Sequence, residues 1–146
     1  MIVPGQKSRS VVAGIGIACM FALTALGAAP RNQGGSDDES KLVGDWSGNS
    51  ICQVRESACH DEKVVYHLSE AAGKPGWVTI SADKIVNGTP VNMGSSDYKY
   101  DSGKKTLTDE SVRGIWKFSI AGERMEGTLT LPDGRLFRRV SLSKTK

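Results

Sequence analysis

The stretch that decides the fold is GIWKFSIAGERMEGTLTLPDGRLFRRVSL, residues 114–142. Mostly apolar residues recur at every second position: Gly114, Trp116, Phe118 and Ile120, then Met125, Gly127, Leu129 and Leu131, then Leu136, Arg138, Val140 and Leu142. A period of two places each set on one face of a strand, where a helix would need a period of 3.6. Ala121-Gly122-Glu123-Arg124 and Pro132-Asp133-Gly134-Arg135 separate the sets, and Asp-Gly is a strong short-hairpin signal. Three consecutive antiparallel strands follow.

Working back towards the N-terminus, the same short period continues with turn residues at close spacing. Leu42–Val54 alternates loosely, Lys63–Ser69 carries Val64, Val65, Tyr66 and Leu68, and Trp77–Ala82 is a third strand. Val86–Met93, around Asn87-Gly88, is a further strand candidate. Tyr98 and Tyr100 precede the turn Asp101-Ser102-Gly103-Lys104, and Thr106–Thr108 returns from it. The only helical signal is a turn near Ser69–Ala72. The expectation is an all-β domain of about eight short strands. A chain of this kind must bury one face and deal with its edges, and closing into an antiparallel up-and-down barrel does both. A two-sheet β-sandwich is the alternative.

The 146 residues divide into three. Residues 1–27 read as an export signal: Lys7 and Arg9 precede the uncharged apolar run Val11–Leu26, and small residues place cleavage after Gly27 or Ala28. The run is shorter than the ~20 apolar residues of a membrane span, so the mature chain is not expected to be transmembrane. Residues 28–41 are rich in Gly, Ser and acidic residues and read as a flexible linker, and 42–146 form the single β-barrel domain. Removing the signal takes Cys19 with it and lowers the net charge from +3 to +1, which rules out a strongly basic nucleic-acid binder, and no nucleic-acid partner is expected. Charge is uneven along the remainder: residues 111–146 carry eight basic and three acidic side chains, whereas 28–110 carry nine and thirteen. Arg135, Arg139, Lys144 and Lys146 suggest a basic edge that discourages strand-to-strand aggregation.

Cys52 and Cys59 remain in the mature chain, and in an exported domain two cysteines seven positions apart read as one disulfide. Cys59-His60-Asp61-Glu62 lies too close in sequence to surround one ion, and a second pair with zinc-ligand spacing is lacking, so no metal is expected. His60, Asp61 and Glu62 are the one group that could do acid-base work, and a solvated loop is the alternative reading. His67 has the parity of a solvent-facing strand residue. With two histidines and no nucleophile or phosphate-loop motif, the chain is expected to have neither enzymatic activity nor a cofactor.

Gly44-Asp45-Trp46 places a G-x-W on the first strand, and Arg138 lies on the otherwise apolar face of the last. In a closed barrel these strands are neighbours, so the guanidinium of Arg138 is expected to stack on Trp46 and cap one end. In this the chain resembles the calycin superfamily, the lipocalins and their relatives. Ser96-Asp97-Tyr98 also looks like the lipocalin T-D-Y motif. The resemblance implies a lipocalin-like barrel with a binding or structural role, and the signal implies that it is periplasmic or secreted. Its partner would be a small apolar ligand or another protein. It equally implies an alternative, a periplasmic protease inhibitor of calycin type, in which an N-terminal segment enters the protease. Trp116, Phe118, Met125, Leu129 and Leu131 are expected to fill much of the interior.

Overall fold

The computed structural model describes residues 36–146; the expected export signal and residues 28–35 of the expected linker lie outside the described residues. A short helix α1, Ser36–Ser40, is followed by eight strands. These are β1 Gly44–Cys52, β2 Glu62–Glu70, β3 Trp77–Val86, β4 Thr89–Asp101, β5 Thr106–Ser111, β6 Gly114–Ala121, β7 Arg124–Thr130 and β8 Leu136–Lys144. Each strand pairs antiparallel with the next, and β8 closes on β1 to complete an up-and-down barrel. The sandwich alternative fails because the pairing of β8 with β1 closes all eight strands into one cycle.

Alternation builds the barrel wall. Val64, Tyr66 and Leu68 on β2 are buried, while Lys63 and the other intervening residues of the strand are more open. Gly127 sits directly across from Phe118, and a Cβ at that position would overlap the edge of the phenyl ring. This close approach lets Phe118 lie fully buried between Tyr66 and Tyr98, which meet it edge-on at centroid distances of 6.0 and 5.7 Å. Around it pack Trp46, Leu68, Val78, Leu107, Met125 and Leu142. Registers place all of these in the half of the barrel that holds the start of β1 and the β2–β3 loop.

Four expectations need correction. First, residues 36–41 of the expected linker are folded. Polar contacts hold them where apolar anchors are scarce: Asp38 bridges Lys41 (3.0 Å) and Lys105 (2.7 Å), and the Gly76 N–H donates to buried Glu39 Oε2 (3.2 Å). Second, Val86–Met93 is not a separate strand. Asn87 and Gly88, with φ of 52° and 81°, form the two-residue turn between β3 and β4, a conformation that Asn-Gly favours. Third, Ser69–Ala72 finishes β2 and enters a turn; it does not form a helix. Fourth, β8 is no edge, since barrel closure pairs it on both sides.

The wall is instead incomplete between β4 and β5. The two strands pair only across Lys99–Asp101 and Thr106–Thr108, and Thr89–Tyr98 continues alongside β3 alone. Asp109–Ser111 likewise stays with β6. A bulge in β4 opposite Ala82 and Asp83 adds to this divergence. The parting lies at the end of the barrel that carries the β1–β2 loop.

Candidate functional site

Where β4 leaves β5, the barrel interior opens into a cavity of about 390 Å³. Residues from both sides of the parting line it: Met93 to Ser96 from β4, Asp109 and Ser111 from β5, and Arg113 from the following turn. Tyr66, Ile80, Tyr98, Trp116 and Leu129 form its deeper wall. Trp116 is held parallel to Phe118 at 5.5 Å and so presents a flat surface. Trp116 and Leu129, expected as filling, thus line the cavity, while Phe118 and Met125 are buried as expected. Leu131 follows the β7–β8 register shift and is only half-buried beyond the end of β7.

Tyr66 and Tyr98 are 5% and 7% exposed as whole residues, and their hydroxyls, which have no protein partner among the described residues, are accessible from the cavity they line. Burial pushes the Tyr66 phenol up to about 12, with Arg138 acting against it and Glu62 with it. Burial raises Tyr98 as well, reinforced by Tyr66 and Asp109. Both side chains line the same cavity, together with Asp109. Both phenols are protonated at neutral pH and available as donors. Read as members of a strand pattern, they carried no functional signal beyond their inward parity.

Arg138 lies beside this region and does not reach Trp46. It stands across from Cys52, six residues along β1 from Trp46, roughly 20 Å at about 3.3 Å per residue. Its Nη1 donates to buried Ser50 Oγ (2.8 Å) and meets Glu62 Oε2 (3.2 Å), and its Nη2 donates to the His60 carbonyl (3.1 Å). The residue that covers the Trp46 ring is Lys144, directly opposite in register, with Nζ 5.9 Å from the ring centroid and donating to the Lys41 carbonyl. Trp46 itself is fully buried, and its indole N–H donates to the Leu42 carbonyl (2.9 Å). Gly44, at φ 129°, leaves room for the Lys146 carbonyl, which a Cβ there would overlap. The expected cap therefore exists, with a lysine in place of the arginine.

The sulfurs of Cys52 and Cys59 are bonded, with Cα atoms 5.8 Å apart. The neighbouring acid-base candidates are engaged structurally. Asp61 Oδ1 accepts from the Cys52 N–H (2.8 Å), Glu62 is paired with Arg138 and with Lys84 at 3.7 Å, and His60 offers its carbonyl to Arg138. His67 faces outward as expected, but lies between two carboxylates: Nδ1 is 2.7 Å from Asp45 Oδ1 and Nε2 3.3 Å from Asp83 Oδ2.

The eight-stranded antiparallel barrel is consistent with a lipocalin-like fold. No family model matches the sequence, and no curated protein matches it. Among the described residues, no helix is long and apolar enough to cross a membrane.

Proposed function

We propose that this chain is an exported, non-catalytic, calycin-like barrel that holds a small ligand in the cavity beside the β4–β5 parting. The observation that carries this reading is the cavity itself: an apolar interior wall with a few polar groups, entered where the barrel wall is incomplete. Export is supported by the apolar run at 11–26 behind two basic residues and by the disulfide, which persists in oxidising compartments. The absence of catalysis is supported by the structural commitments of His60, Asp61 and Glu62.

Native mass spectrometry of the mature protein from its own host tests both parts. The expected mass is that of a chain cleaved after Gly27 or Ala28 plus a small bound molecule that leaves on denaturation. The binding reading is abandoned if the protein carries no ligand and also fails to take up small apolar molecules added in solution. Retention of residues 1–27 would refute a cleaved export signal.

A further inference from the structure

Two phenols in the cavity say more about its occupant than the cavity's size does. We infer that the ligand is a small, flat, uncharged molecule with one carbonyl-type oxygen, which accepts hydrogen bonds from Tyr66 and Tyr98 while its body lies against Trp116. This deepens the reading of the cavity as a ligand site and rests on it.

Among the described residues no fully buried side-chain polar atom lacks a partner. The hydroxyls of Tyr66 and Tyr98, which have no partner among those residues, therefore open onto the cavity they line, and an occupant that covers them must replace the hydrogen bonds solvent gives them. Both are donors. An occupant with no acceptor would fill the space and leave two hydroxyls unpaired, which opposes binding. An acceptor oxygen at the inner end removes that penalty, and one carbonyl has two lone pairs to offer.

Charge then narrows the class. A carboxylate would need a free cation at the inner end, but Arg138, the cation that acts on Tyr66, is committed to Glu62, Ser50 and the His60 carbonyl. Asp109, which acts on Tyr98, would repel an anion. A cation would be drawn to Asp109, but Arg113 on the same lining offsets that carboxylate in formal charge. The flat indole of Trp116 and the small Ala82 favour a planar body over a bulky one.

Three planar probes of similar size test this: coumarin, a neutral lactone; naphthalene, with no acceptor; and 2-naphthoate, an anion. Binding is read from the Trp116 indole resonance in the full chain with its disulfide formed. Coumarin is expected to bind about tenfold more tightly than naphthalene, about 1.4 kcal/mol, and naphthoate more weakly than coumarin. In Tyr66→Phe and Tyr98→Phe, which keep the rings, the coumarin advantage is expected to fall while naphthalene binding holds. Equal affinity for coumarin and naphthalene in the parent, or an advantage that survives in both variants, overturns the acceptor. Preference for naphthoate overturns neutrality. Binding of naphthalene alone leaves the cavity reading standing and sinks this one, whereas no shift with any probe sinks both.

Discussion

At the scale of single residues, His67 shows how the outer wall responds to pH. Asp45 lies opposite it in register and Asp83 two residues further along the neighbouring strand, so both ring nitrogens meet a carboxylate. The Asp45 hydrogen bond, opposed in part by desolvation and aided by Asp83, holds the imidazole above its ordinary 6.5. The protonated form is therefore favoured by folding. Its contribution is fully present below pH 6.5 and is lost as pH rises through the folded-state value. The ring is half-exposed, so the contribution belongs with surface pairs, ~0.2–1 kcal/mol. Urea unfolding of the parent and of His67→Asn is expected to give a difference that shrinks as pH rises from 6 to 9. A difference constant over that range would rule the ion pairs out as its source. Trp46 illustrates the limit of reading single residues from sequence. That it would be buried and capped was legible, but the capping residue was not, because Arg138 and Lys144 both stand on β8 and only the β1–β8 register chooses between them. That register joins residues about a hundred positions apart and leaves no local trace.

Among the elements, the β1–β2 connection and the β4 edge are stabilised by opposite devices. The disulfide and Arg138 fix the ends of the 53–61 loop. In the chain-entropy account a closed loop of this length contributes roughly 2–3 kcal/mol, a large share of the ~5–10 kcal/mol of a small domain. Replacing both cysteines by serine is expected to lower the unfolding free energy by about that amount, measured in urea without reductant. A loss under about 0.5 kcal/mol would show that Arg138 and Asp61 hold the loop unaided. The β4 edge has no such tie. From Ile85 to Ser96 the chain carries no charged residue, and Val91 and Met93 are exposed, which is the profile of an edge open to pairing. Its protection is Pro90. Val86 and Thr89 flank the tight turn and bond to each other, so Pro90 turns its nitrogen away from β3 towards the open side, where it offers no donor. Pro90→Val restores that N–H and is expected to shift sedimentation of concentrated protein towards dimer relative to the parent. An unchanged profile would mean that the β4 bulge protects the edge by itself. The 114–142 meander was legible because its turns are encoded locally, in Ala-Gly-Glu-Arg and Pro-Asp-Gly-Arg. Asn87-Gly88 was misread because apolar residues at 86, 91 and 93 flank it and imitate a strand through the turn.

Over the whole molecule, the barrel interior divides into two unequal halves. Near the start of β1 it is a packed core around Phe118; near the β1–β2 loop it is the tyrosine-lined cavity. The apolar alternation of the strands is alike in both halves, so periodicity reveals the barrel and hides the cavity. What separates them is that β4 meets β5 only from Lys99 onward, a divergence set by the length and bulge of β4. The division has a measurable consequence. Phe118 is surrounded on every side, so Phe118→Ala leaves a void within close-packed neighbours and is expected to cost about 3–5 kcal/mol. Leu129 already borders open space on one side and has fewer contacts to lose, so Leu129→Ala is expected to cost under about 2 kcal/mol. The same truncation enlarges the cavity, so affinity for a flat ligand should fall although the stability loss stays below that of Phe118→Ala. Urea unfolding of the two variants, with coumarin titration of Leu129→Ala, separates packing from binding. If Leu129→Ala proves as destabilising as a buried-core truncation, the interior is packed throughout, and the ligand assignment loses the space it depends on.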